Sequence, residues 1–327
     1  MDYQVLKNDT IMKILITGGA GFIGSHLAQY LVKNNHQVFI LDDLSSGSLN
    51  NIAKIHSSLL HFQKGSILDE RVLEKIIDSV DVIYHLAAVV GVQLVVKHPL
   101  KTMENNVKGT ENVLKIANKK RKKVLLTSTS EVYGKSCKDK FSENDDLIIG
   151  PTSKSRWSYA CSKIVDEHLA LAYFKEKKLP VVIVRLFNTV GEGQSGRYGM
   201  VMPRFIKQAL NDENITIYGN GKQSRCFCYV GDVVWALKKL MDREEAVGEI
   251  YNIGNCENVT INELADRVVK LTSSKSKKIY IPYEEAYGEG FEETMKRIPD
   301  IDKINKLIGF QSKFNLDAII ERMKNSI

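Results

Sequence analysis

The chain has 327 residues, 43% hydrophobic and 26% charged, with 46 Lys and Arg against 39 Asp and Glu for a net charge of +7. This is ordinary globular composition, and it excludes a disordered, collagenous or disulfide-scaffold chain. Apolar runs such as Val124 to Leu126 and Pro180 to Val184 are strand-sized, far short of the roughly 18–20 residues of a membrane span, so no membrane association is expected.

The five cysteines are few and odd in number, and the polar stretch Met1 to Thr10 does not read as a signal peptide. Reduced thiols and a cytoplasmic location are expected. Residues 1–11 read as an N-terminal extension, because periodic structure begins at Met12. The densest basic run, Lys119 to Lys123, reads as a helix end, where cations oppose the negative end of the dipole. No aromatic residues interleave with it, so nucleic acid is not an expected partner.

Taken in order, Lys13 to Thr17 predicts a first strand, Phe22 to Asn34 a helix, and Gln37 to Leu41 a second strand. Leu59 to Gln63 and Val82 to Leu86 follow as strands, then a long helix from about Leu100 to Asn118. Val124 to Thr127 reads as the fifth strand, Trp157 to Lys177 as a helix, and Val181 to Arg185 as the sixth strand. Continuous apolar strands are buried on both faces, and their alternation with helices implies an α/β, Rossmann-type doubly wound parallel sheet. After Asn188 the pattern shifts to glycine-rich loops and short strands at Ile215 to Tyr218, Ile250 to Ile253 and Lys278 to Ile281. The expected division is a dinucleotide-binding domain over 12–188 and a smaller α/β substrate lobe over 189–327, with an interleaved boundary.

The first strand runs into Thr17-Gly18-Gly19-Ala20-Gly21-Phe22-Ile23-Gly24 and then a helix. Glycines 18, 21 and 24 allow a tight turn, close approach of a pyrophosphate and close helix packing, and the helix-start amides face the anion. Asp42 ends the second strand, where an acid binds the adenosine ribose. With Asp43 beside it and no arginine nearby, a 2′-phosphate is repelled, so the expected cofactor is NAD rather than NADP. No Lys-Ser or Lys-Thr pair follows the glycines, which excludes a phosphate-loop NTPase.

Tyr159 and Lys163 stand four apart, on one face of a helix. An ammonium beside a phenol favours phenolate, which can take a hydroxyl proton as hydride leaves carbon. Thr127-Ser128-Thr129-Ser130-Glu131-Val132-Tyr133-Gly134 ends the fifth strand, and strand carboxyl ends carry the site in this architecture. Cys226 and Cys228 alternate with Phe227 and Tyr229 as in a strand, and no second ligand pair follows, so no metal is expected. Glu263 after Thr260 fits a capping box.

With these motifs the chain resembles an extended short-chain dehydrogenase/reductase of the NAD-dependent nucleotide-sugar epimerase/dehydratase family. Further markers are His85-Leu86-Ala87-Ala88, Asn106 to Thr110, Arg185-Leu186-Phe187-Asn188 and Arg297-Ile298-Pro299-Asp300. The resemblance implies that Tyr159 is the base, Lys163 its partner and holder of the nicotinamide ribose, and Thr129 the hydroxyl that assists at the sugar O4. It also implies cofactor contacts from Phe22, Ile23, Ser66, Ile67, Leu86, Ala87, Ala88, Asn106 and Thr127, with Ser66 standing where the family often has Asp. Ser130, Asn188, Arg225 and Arg297 are implied for the nucleotide-sugar, Tyr218 beside its base, and Glu131 for chemistry at the sugar. His85 reads as a satisfied sheet-end histidine, and Arg204 as structural or interfacial. A homodimer packed through the helix from Leu100 and the Tyr159 helix is implied by the same resemblance.

The shared first step is oxidation at the sugar C4. The leading expectation is a UDP-sugar 4-epimerase, resting on how common that activity is in the family. A UDP-glucuronate decarboxylase is the main alternative, because Thr129-Ser130-Glu131 resembles its motif; against it, the segment Arg156 to Lys163 reads as its own variant. A 4,6- or 5,6-dehydratase remains open, although the usual Asp of the 4,6-dehydratase pair is replaced by Ser130. A non-catalytic dinucleotide-sensing regulator is the reading from another class, and the intact Thr129, Tyr159 and Lys163 set argues against it.

Overall fold

Six parallel strands, β1 (Lys13–Thr17), β2 (Gln37–Asp42), β3 (Leu60–Lys64), β4 (Val82–His85), β5 (Lys123–Thr129) and β6 (Val181–Leu186), form most of the central sheet in the computed structural model. The structure describes residues 10–196, 199–287 and 292–326, with the side chains at 92 and 93 excepted. The extension expected over 1–11 therefore lies outside the described residues except at its last two positions.

The sheet has seven strands in the order Ile250–Ile253, β6, β5, β4, β1, β2, β3. The chain winds outward from β1 through β2 to β3, then returns to β4 on the other side. That reversal opens a crevice beyond the carboxyl ends of β1 and β4, where ligands bind in open parallel sheets. Alternate residues feed two cores, which is why the strands read as unbroken apolar runs. Ile14, Ile16, Val38, Ile40 and Tyr84 pack on one face. Leu15, Leu41, Ile83, Val124 and Ile183 pack on the other.

Three elements depart from the sequence expectation. Ile250–Ile253, assigned to the smaller lobe, is the edge strand of the main sheet and pairs in parallel with β6. β5 runs two residues beyond Thr127, because Ser128 and Thr129 pair with Arg185 and Leu186. The long helix is broken into Pro99–Met103, a π-helical turn at Glu104–Lys108, and Gly109–Lys120. The wide turn carries Asn106 into the interior, and a Cβ on Gly109 would stand 2.2 Å from Ile67 Cδ1.

The rest of the chain is built on short pairings. Ile215–Tyr218 pairs in parallel with Lys278–Ile281, and Ser224–Cys226 pairs antiparallel with Asn258–Thr260. The Thr260 and Glu263 capping box is formed. The basic run ends its helix at Lys120, and Lys119 and Lys120 are bridged to Glu74 and Asp78 at 2.6 Å each. No described helix is long and apolar enough to cross a membrane.

Candidate active site

One cavity of about 890 Å³ spans the carboxyl ends of the strands. Every residue expected for the site lines it except Asn106. Its inner half is the glycine turn. Gly18 has φ +72°, and a Cβ there would stand 2.8 Å from the backbone of Ala87. A Cβ on Gly24 would stand 2.3 Å from Gly18 O. The helix Phe22–Lys33 opens at Gly21 with no side-chain cap, so its first amides have no side-chain acceptor of their own.

Asp42 sits at the end of β2, 8% exposed, and accepts from Ala20 N at 3.0 Å and Leu44 N at 2.8 Å. Burial pushes its carboxyl above the ordinary value, opposed by those two amides. Ser66 Oγ accepts from Leu68 N at 3.2 Å, and Thr127 Oγ1 donates to His85 O at 3.1 Å. A side-chain-free cradle, open helix amides and an acid at the next strand end fit a dinucleotide. NAD would lie along Gly18, Gly24 and Asp42 toward Leu86 and Tyr159.

His85 bridges Thr17 Oγ1 at 2.7 Å and Thr110 Oγ1 at 3.0 Å, and burial lowers its pKa to about 3, so it is a neutral sheet-end group as expected. Asn106 departs from its expected cofactor contact. It is fully buried, accepts from Val89 N at 2.8 Å and donates to Ser162 Oγ at 3.0 Å. It ties the loop after β4 to the Tyr159 helix, so it shapes the cavity wall without lining it.

At the far end of β5, Thr129 caps a short 3-10 turn, its Oγ1 accepting from Glu131 N at 3.2 Å. The helix Trp157–Lys177 presents Tyr159 beside it. Burial and then the charge of Glu131 push the Tyr159 phenol well above its ordinary value, opposed by a hydrogen bond with Thr129. The expected lowering by Lys163 is not found. The Lys163 ammonium instead donates to Asp166 Oδ2 at 2.8 Å, one turn on, with both side chains at most 2% exposed.

Glu131 faces three guanidiniums. Arg297 Nη1 donates to its Oε1 at 3.1 Å, and Arg156 Nη2 lies 3.8 Å from its Oε2. Burial alone would raise the Glu131 carboxyl; Arg297, Arg156 and Arg225 outweigh it and hold the pKa at about 2. Arg225 Nη2 donates to Glu293 Oε1 at 2.8 Å, and Arg156 lies 3.5 Å from the same oxygen. Further out, Asn188 donates to Cys226 O, and the Arg204 guanidinium lies 3.9 Å above the Tyr218 ring, which meets Tyr287 edge-on.

Arg204 donates to Thr216 O at 3.0 Å, a structural contact as expected, and it also lines the cavity. Arg156, Glu293 and Asp166 were missed altogether. The signals existed for two of them: Arg156 precedes Tyr159 by three residues and Asp166 follows Lys163 by three, spacings that share a helical face. All five cysteines are free, and the described residues contain no cluster suited to a metal ion.

Comparison with known proteins agrees with this geometry. Residues 14–254 match the model of the NAD dependent epimerase/dehydratase family. A UDP-N-acetyl-alpha-D-glucosaminuronate decarboxylase from Bacillus cytotoxicus is 45% identical over 302 residues, covering 91% of this chain and 92% of that one. A UDP-glucuronic acid decarboxylase from Arabidopsis thaliana is 35% identical, covering 93% of this chain and 85% of the relative. Among solved structures, the UDP-glucuronic acid 4-epimerase of Bacillus cereus superposes with a TM-score of 0.87 at 30% identity, covering 96% of this chain and 98% of that one. The chain belongs to the NAD-dependent epimerase/dehydratase family and is an enzyme with NAD as its cofactor.

Proposed function

We propose that the protein is an NAD-dependent decarboxylase of a UDP-linked hexuronate, with UDP-N-acetylglucosaminuronate or UDP-glucuronate as substrate. The observation that carries this reading is the group of Arg297 and Arg156 around Glu131, beside Tyr159 in one cavity. Planar guanidiniums suit a sugar carboxylate at C6, which they can hold in a bidentate fork. A neutral hydroxymethyl group would leave those charges less well matched. The Thr129-Ser130-Glu131 motif and the decarboxylase relatives support the same choice. It reverses the order of the sequence expectation, which put epimerisation first.

Bound NAD supplies the hydride acceptor for the sugar C4 and the hydride that is later returned. To act as base Tyr159 must be phenolate, the form that the Lys163 ammonium and the positive ring of bound NAD would favour over the ligand-free phenol; it then takes the O4 proton as C4 is oxidised, with Thr129 hydrogen-bonded to its oxygen. With a ketone at C4, the C6 carboxylate belongs to a β-keto acid. The C5–C6 bond then breaks, its electron pair passes to the C4 oxygen as an enolate, and CO₂ leaves. The phenol so formed, which burial keeps protonated, can donate a hydrogen bond to that enolate. Glu131 keeps Arg297 at the cavity wall through the step, and C5 is reprotonated from water. Arg225 and Asn188 are proposed to hold the diphosphate, and Tyr218 with Arg204 the base.

Incubation with NAD and each of UDP-glucuronate, UDP-N-acetylglucosaminuronate, UDP-glucose and UDP-N-acetylglucosamine in deuterated water tests the reading. The uronates should lose CO₂ and gain one deuterium at C5. A product of unchanged mass would assign 4-epimerisation, the reading favoured by the Bacillus cereus structure. Loss of water would assign a dehydratase. A homodimer through the helices bearing Leu100 and Val165, which stand 70% and 39% exposed, is proposed with it and is tested by light scattering.

A further inference from the structure

Lys163 and Asp166 form a pair of opposite charges in the protein interior, with the Thr110 hydroxyl and the Glu167 carboxylate close to Asp166. The ammonium donates to Asp166 Oδ2 at 2.8 Å, and the side chains are 2% and 0% exposed. The second carboxylate oxygen, Asp166 Oδ1, is buried without a hydrogen-bond partner. A buried pair with one oxygen unsatisfied is poor value as a stabilising device, since an apolar pair of similar size commonly does as well. Lys163 also lines the cavity, so the pair reaches from the protein interior to the site.

The neighbouring polar groups are already engaged. Glu167, next on the helix, is bound by Arg185 from β6 at 2.7 and 3.0 Å and by Ser128 from β5. His85 from β4 is engaged at both nitrogens, and Ser162 accepts from Asn106. The carboxylate that meets the Lys163 ammonium is Asp166. Four methylenes separate that ammonium from the backbone, and without an anchor it would sample many positions.

We propose that Asp166 is a positioning residue: its buried carboxylate anchors the Lys163 ammonium at the cavity wall and so sets where that cation stands relative to Tyr159 and the cofactor ribose. The inference rests on the reading of Tyr159 and Lys163 as the acid–base pair. Asp166 touches neither sugar nor cofactor and acts through Lys163.

The test is a double-mutant cycle on the NAD-loaded enzyme, with UDP-glucuronate and UDP-N-acetylglucosaminuronate as substrates. Lys163→Met comes first; if it keeps turnover, the parent reading of the pair fails, and this inference with it. If Lys163→Met is inactive in steady state, a slow residual rate is read from single-turnover formation of product. Asp166→Asn should lower kcat about 30-fold while KM changes less than about twofold, the pattern of misplaced machinery. Asp166→Glu restores the charge and should recover to within about fivefold of the parent. Lys163→Met/Asp166→Asn should be no slower than Lys163→Met, since the lysine through which Asp166 acts is gone. Asp166→Asn within twofold of the parent, no recovery with Glu, or a further tenfold loss in the Lys163→Met background would each overturn the proposal. Should Asp166→Asn fail to fold, the double variant, in which both buried charges are removed together, decides by the same comparison.

Discussion

Arg297 and Glu131 lie 166 positions apart in sequence and meet at 3.1 Å on the wall of the cavity. The contact joins the segment before Pro299 to the turn that follows β5, so the cation and that strand end are fixed to each other. Its electrostatic consequence is large: Glu131, only partly exposed on the cavity wall, is held ionised at a pKa of about 2.

That depression has a sign in stability. Because the folded-state pKa lies below the ordinary 4.5, the contribution of Glu131 is fully present above about pH 4.5 and is lost as pH falls toward 2. The stability gap between the parent and Glu131→Gln, measured by urea unfolding, should be widest near neutrality and narrow at pH 3. An equal gap at both pH values would contradict the assignment.

Tyr159 should be protonated in the ligand-free enzyme. Burial first and Glu131 second hold the phenol above its ordinary value of 10.0. A near-ultraviolet titration of the parent minus Tyr159→Phe should therefore show no phenolate from Tyr159 at pH 9. Ionisation below that pH without cofactor would show that burial is not in control.

Gly24→Ala should damage both fold and cofactor retention. Its Cβ would stand 2.3 Å from Gly18 O, a backbone atom that cannot swing aside. Overpacking of this kind costs about 1–3 kcal/mol. Thermal melting with and without added NAD should show a lower midpoint and a weaker shift on NAD addition.

Glu167→Gln should destabilise without touching the cavity. Glu167 and Arg185 are each 4% exposed at the side chain and bound at 2.7 Å, so removing one charge strands the other, at a cost of about 3–5 kcal/mol. Urea unfolding checks the figure.

Much of the fold was readable because its cause is local. β1, the glycine turn and Asp42 are contiguous signals, and the runs that feed two cores could hardly be anything but buried parallel strands. The Trp157–Lys177 helix and the strands Ile215–Tyr218 and Lys278–Ile281 fall where periodicity put them. Ile250–Ile253 was misplaced because four residues of strand carry no record of which sheet they join; β6 decides that in three dimensions. The π-helical turn at Glu104–Lys108 was hidden because Gly109, which closes it, reads in sequence as one tolerated glycine inside a continuous helical pattern.

The site divides in the same way. Thr129, Tyr159 and Lys163 sit in compact motifs. The carboxylate that meets the Lys163 ammonium is set by tertiary burial, and spacing from Tyr159 alone does not name Asp166. Arg204 sat in an ordinary amphipathic run, and only the fold sets it above Tyr218.

Release of labelled CO₂ from UDP-N-acetylglucosaminuronate or UDP-glucuronate carrying carbon-13 at C6, followed with the parent and Tyr159→Phe, tests decarboxylation most directly. Stoichiometric labelled CO₂ from the parent, and about 100-fold slower release from Tyr159→Phe, is the expected result. Conversion of either uronate with the label wholly retained in the sugar would contradict the proposed reaction.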